Sequence, residues 1–330
     1  MSGIRFAALA WGALAGTLAL ATTSAPPSAH DAGTMAERGF TEALRLEATP
    51  RALILAANSV AVAAADREAL IARASADAHA DAFVQWFAAS HAQDDEVKAA
   101  ALRALQSLEP DNGMVWMLSV DSAMQSGDAP GVSAALARMA AATRFDDRFG
   151  EFVVEWLQAG DRHPLQRNDV AQAQADLDPD TVPIVRAIAY ASALAIPAAQ
   201  SVLGACRDSA EDDFAHRAHD CSTIGRLLAG KANSLVSRAF GIVLLRIIGD
   251  PSLAGFERRF AWLNEFTVRM PDVATDSGHA RRFEADWLAV GHEIGVLQRQ
   301  LVRLGLPLEP PADWQPAARS VAAGAVDQPR

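Results

Sequence analysis

Two cysteines, two histidines and four aspartates fall within the stretch CRDSAEDDFAHRAHDC, from Cys206 to Cys221. These are the only cysteines in the 330-residue chain. They can pair with each other, share a metal ion, or remain free thiols. Cys206, His216, His219 and Cys221 are of zinc-ligand type, and His216 and His219 share a helix face at i,i+3. Cys221 lies five residues past His216, well around such a helix, and the paired C-x-x-C knuckle is missing. A disulfide asks for less. Ser209 is a good N-cap type, and Glu211 and Asp212 suit the positive end of a helix dipole. A break at Arg207 and Asp208 lets the helix ending at Cys206 fold back on the helix carrying Cys221. A Cys206–Cys221 bridge would staple that hairpin and stabilise the fold by about 3 kcal/mol on the chain-entropy model. The disulfide is the preferred reading and a His216/His219 metal site the alternative. The plain reading of both histidines is a solvated face paired with Asp212 and Asp220.

A disulfide needs an oxidising compartment, and the N-terminus agrees. Arg5 precedes an apolar, small-residue run from Phe6 to Leu20, and Ala19-Leu20-Ala21 is an A-x-A cleavage pattern. Residues 1–21 read as a signal peptide and 22–35 as a disordered leader. The expected location is periplasmic or secreted. The alternative is an uncleaved N-terminal segment acting as an anchor.

The elements that must position these residues are helices. The chain is 51% apolar and rich in alanine, and no alternating run of β-branched and aromatic residues reads as a strand. The fold class is all-α. A net charge of −11 without a basic stripe argues against nucleic-acid binding. The most apolar helix, Asn233 to Gly249, is too short and carries two arginines, so stable membrane insertion of the mature chain is not expected. It reads as buried on several sides, with Gly241 allowing a close neighbour.

Short helical runs fill residues 36–160. From Glu109 the sequence reads EPDNGMVWMLSVDSAMQSGDAPGVSAALARMA. Pro110, Trp116, Gly127 and Asp128 stand near the spacings of a tetratricopeptide repeat, and residues 112–144 resemble one unit of that family. Val132 and Met139 stand where the family prefers alanine, and no constant period continues along the chain. The resemblance implies stacked antiparallel hairpins, as a right-handed array or an irregular α-α superhelix. It also implies a partner groove floored by Trp116, Val120 and Ala123. An ordinary helical hairpin is the competing reading.

Residues 161–181, with Gly160-Asp161, Pro164 and Pro179, mark a linker before a second helical half, 182–304. The last helix shows the clearest period. Phe283, Trp287, Val290, Ile294, Leu297, Leu301 and Leu304 alternate spacings of four and three, a heptad seam that Gly291 and Gly295 weaken. It reads as a closing helix, or as the interface of a homodimer. Residues 305–330 read as a disordered tail in which Trp314 can dock.

No catalytic signature is present: no G-x-S-x-G, H-E-x-x-H, P-loop or G-x-G-x-x-G. His292-Glu293 lacks a second histidine. Asp94/Asp95 and Asp146/Asp147 sit at helix starts, where capping explains them. No cofactor is expected. The chain reads as an exported, non-enzymatic helical-repeat protein that binds an unknown protein or peptide in the cell envelope. The alternative is an exported all-α enzyme or metal-binding protein centred on Cys206, His216, His219 and Cys221.

Overall fold

The computed structural model describes residues 29–164, 179–193, 198–207, 214–269 and 276–316. The expected signal peptide, most of the expected linker and the acidic run 208–213 lie outside the described residues. Among the described residues there are fifteen α-helices and no strand, so the chain is all-α. In chain order they begin α1 (Ala29–Glu47), α2 (Pro50–Asn58), α3 (Ala64–Ser75), α4 (Ala82–His91) and α5 (Asp95–Leu108). Next come α6 (Gly113–Ser126), α7 (Ala129–Ala140), α8 (Phe149–Arg162), α9 (Val182–Ser192) and α10 (Ala199–Arg207). The last five are α11 (Phe214–Lys231), α12 (Leu235–Ile248), α13 (Leu253–Arg269), α14 (Ser277–Val290) and α15 (Glu293–Arg303). Because α1 reaches back to Ala29, residues 29–35 are helical rather than a disordered leader. Proline is absent after Pro27 until α2, so nothing stops the helix from extending.

Local sequence sets the helix ends. The Thr49 hydroxyl accepts from Ala52 N at 3.3 Å ahead of Pro50. Asp94 accepts from Glu96 N and Val97 N, and Asp128 from Gly131 N. Gly127 sits at φ 70°, where a side chain would be strained, and so closes α6 one residue before the cap of α7. The helices pack as hairpins α2/α3, α4/α5 and α6/α7. Their first helices touch in a row, α2 to α4 to α6, and so do α3 and α5. Across the first row lies α8, with Phe152 packed on Phe83 at 4.3 Å and on Phe87 at 5.7 Å.

The second half closes onto these hairpins. Cys206 and Cys221 form the expected disulfide between α10 and α11, with Cα atoms 5.9 Å apart and both residues buried. α10 packs on α6 and α11 packs on α7. α11 and α12 make a close pair because Gly241 has no side chain, and a Cβ there would stand 2.4 Å from Ala229 N. The main core runs from Phe40 through Val296, so side chains of both halves share one interior.

Two expectations near the C-terminus are corrected. Residues 276–304 are not one helix. Gly291, at φ 74°, ends α14, and His292 caps α15 by accepting from Gly295 N at 3.1 Å. The heptad seam is thereby divided between two cores. Phe283 and Trp287 are buried in the main core with Val290 packed against it. Ile294, Leu297 and Leu301 are buried with Leu235 and Leu263. The tail is ordered as far as Pro316, lying against α13. Residues 317–330 are outside the described set.

Candidate functional site

The predicted groove residues on α6 are not an open floor. Val120 is fully buried. Trp116 is partly buried, donates its indole N–H to Pro110 O at 2.8 Å, and lies under Arg138. Ala123 is half-buried near Gly131 at the start of α7. The inner faces of α2 and α4 are closed by α8, because Phe83, Phe87 and Phe152 fill the space. Of the metal alternative, His219 is exposed, and the side chain of His216 is outside the described set. Among the described residues, no three His, Cys, Asp or Glu side chains converge as a metal site.

Among the described residues an open concavity lies elsewhere, between α3 and α5. It is a groove of about 670 Å³. Half of its lining is alanine, with Ala72, Ala101 and Ala104 among the residues, and Asp95, Glu96 and Arg103 stand exposed at the rim. Gln85 lies at the bottom, held by its own bond to Ser75 O at 3.0 Å. Such a site offers shape and an acidic edge rather than converging catalytic groups. The nearest sequence signal is the Ala99-Ala100-Ala101 run in α5. It carries little information, because alanine is also the default helix former.

A second concentration of chemistry-bearing groups lies where the loop before α8 meets the starts of α12 and α15. The backbone approach is close: a Cβ at Gly150 would fall 2.1 Å from Gly291 O. Asp147 accepts from the hydroxyls of Ser234 and Ser237, the latter at 2.5 Å, and from Phe149 N at 3.1 Å. Glu293 accepts from Leu235 N at 2.7 Å, and Ile294 N donates to Asn233 O at 3.1 Å. Asp147 and Glu293 each keep a partial opening to solvent, yet protein atoms crowd both on nearly every side, and this crowding governs their desolvation. Burial pushes Asp147 above the usual carboxylate range, against its hydrogen bonds. Burial, with the charge of Asp147, pushes Glu293 up to about 7. His292 is held below the ordinary imidazole value by burial, and Asp146 partly offsets this. Arg238 is also lowered by burial while it donates to Ala232 O at 3.0 Å.

On the other side of the same loop, arginines dominate. Arg148 pairs with Glu109 and Glu151, and Arg144 reaches Glu109 at 2.9 Å. Burial acts to raise Glu109, but bonds from Arg148, Arg144 and Asn112 outweigh it and hold the carboxyl low. Arg51 extends the network to Asp81, Glu151 and Glu155. The network links α2, the cap of α4, the end of α5 and α8, and so braces these helices. Glu293 is different in kind, since a carboxyl near neutrality can gain or lose a proton under ordinary conditions. The groups around it, however, form a packed joint and not a cleft. The residues that meet here are two pairs for which sequence offered only capping or a missing partner, Asp146/Asp147 and His292-Glu293.

No protein-family model, curated protein or solved structure matches this chain.

Proposed function

We propose that this protein is an exported, non-catalytic helical scaffold whose α3/α5 groove binds a helical or extended polypeptide segment. The observation that carries the reading is the groove itself. Alanine side chains let a partner's backbone come close, and the concavity is open to the surface. Asp95 and Glu96 at the rim, on a chain of net charge −11, favour a partner with lysine or arginine beside its apolar face. Export is supported by the disulfide, which persists in oxidising compartments. The hairpins α2 to α7 are read as a degenerate tetratricopeptide-like array, supported by the tight Gly127 turn and the row of first helices. In this array the partner lies on the side of the second helices, because α8 fills the first row.

The test is selection of random displayed peptides on the full chain, counter-screened on Ala100→Trp, which fills the groove from an exposed position. Enriched peptides should combine apolar residues at helical spacing with Lys or Arg and lose binding to Ala100→Trp. Peptides that bind both chains equally, or no enrichment at all, would sink the groove reading.

A further inference from the structure

The C-terminal tail lies on α13 in a way that reads as recognition. Residues 306–316 are LPLEPPADWQP. Pro307, Pro310, Pro311 and Pro316 have no backbone N–H, so such a segment presents mainly carbonyl acceptors. The surface beneath presents donors. Arg258 donates to the carbonyls of Pro311, Ala312 (3.0 Å) and Trp314 (3.3 Å). The Trp262 indole donates to Pro307 O at 3.1 Å, and Trp262 meets Trp314 edge-on at 5.2 Å. Arg259 pairs with Glu309 at 2.9 Å. Guanidinium and indole groups donate and do not accept. Proline-rich segments are commonly held on aromatic-lined surfaces.

We propose that Arg258, Arg259 and Trp262 form a docking site for a proline-rich acidic segment of a partner protein, with residues 306–316 as the chain's own resident copy. Charge complementarity selects the occupant, since Arg259 pairs with Glu309 of the tail while Arg258 beside it takes the tail's backbone carbonyls. The resident segment is lightly held. Apart from Pro310 and Trp314 its residues are exposed, and it is joined to the helical body through Gly305. Tethering keeps it in place by effective concentration, which for a short linker is about millimolar. A partner segment of the same chemistry, presented at higher local concentration or with further contacts, replaces it. This site is separate from the α3/α5 groove and does not rest on it.

The experiment uses a fluorescein-labelled peptide of residues 306–316 and three full-length chains. These are the natural sequence, Trp314→Ala to loosen the resident tail, and Trp314→Ala with Arg258→Ala. Circular dichroism and the thermal midpoint show that each is folded. Anisotropy should show at least tenfold tighter binding to Trp314→Ala than to the natural chain, and loss of that binding when Arg258 is also removed. Equal affinity for all three chains, or no binding to Trp314→Ala, overturns the proposal. Concentration-dependent dimerisation of the natural chain, abolished by Arg258→Ala, would assign the site to a second copy and overturn the partner reading.

Discussion

Asp147 and Arg148 are neighbours in sequence and work in opposite electrostatic regimes. Arg148 faces Glu109 and Glu151, and its side chain is only 9% exposed beside an 11% exposed Glu109. Opposite charges compensate each other there, and the carboxylate is held ionised. Asp147 faces two serine hydroxyls and a helix start, with Glu293 nearby. Among the described residues no arginine is hydrogen-bonded to either carboxyl, and burial drives both upward. Crowded carboxyls are accommodated in two ways: by a matched cation, or by hydroxyl and helix N-terminal donors together with a proton. The first gives a brace that holds across neutral pH. The second gives a brace that responds to pH.

The contrast can be broken from the arginine side first. Arg148→Met should destabilise the fold by about 3 kcal/mol, because it removes the most buried cation from Glu109 and Glu151 and leaves each with one more exposed arginine, Arg144 and Arg51. Urea unfolding measures this. A loss below about 1 kcal/mol would show that Glu109 and Glu151 are solvated without it.

Gly150→Ala comes next, at roughly 1–3 kcal/mol. The added Cβ meets backbone at Gly291, which cannot swing aside as a flexible side chain could. The same variant should lower the pKa of Glu293 by opening the joint, a change visible by NMR titration of its side-chain carboxyl. An unchanged titration would mean that the Gly150–Gly291 approach does not control the burial of Glu293.

The pH dependence of stability then separates the two regimes. The folded pKa of Glu293 is raised from 4.5 to about 7, so its contribution is complete below about 4.5 and is lost as pH rises through about 7. Glu109 is shifted the other way. Its contribution is present above about 4.5 and is lost as pH falls through its lowered value. Glu293→Gln should therefore remove a decline on the order of 2 kcal/mol between about pH 5 and about pH 8 and leave the acid limb unchanged. Parallel profiles for the two chains would contradict a raised Glu293. The smallest effect is reserved for Arg144→Ala. Arg144 shares Glu109 with Arg148 but is 37% exposed, so its loss should shift urea unfolding by less than about 1 kcal/mol.

Much of the helical framework was legible residue by residue. Asp94 caps the helix start where the Asp94/Asp95 pair places it, and Gly127 turns the chain between the two helices of the repeat-like hairpin. The Cys206–Cys221 pairing followed from two cysteines flanking a short acidic break. A heptad count weighs only apolar positions and so joins α14 and α15 into one helix. Phe283 through Leu301 satisfy it even though they serve two cores. The missed signal was Gly291-His292-Glu293, a left-handed glycine followed by a capping side chain and an acidic first turn. The repeat resemblance places a groove at Trp116, because an aromatic residue in a first helix resembles a binding floor. The open space lies over alanines, which look the same whether they line a groove or merely extend a helix.

Composition and short-range spacing were enough to establish an all-helical chain, its hairpin turns and the sulfur link between neighbouring helices. These depend on contacts a few residues apart, and such contacts leave a pattern in the order of residues. Which helix faces are sealed by α8, which concavity stays open, and that Asp147 would share a joint with Glu293 became visible only when the hairpins were packed. Those outcomes depend on how helices far apart in the chain cross, and no local period or motif records that.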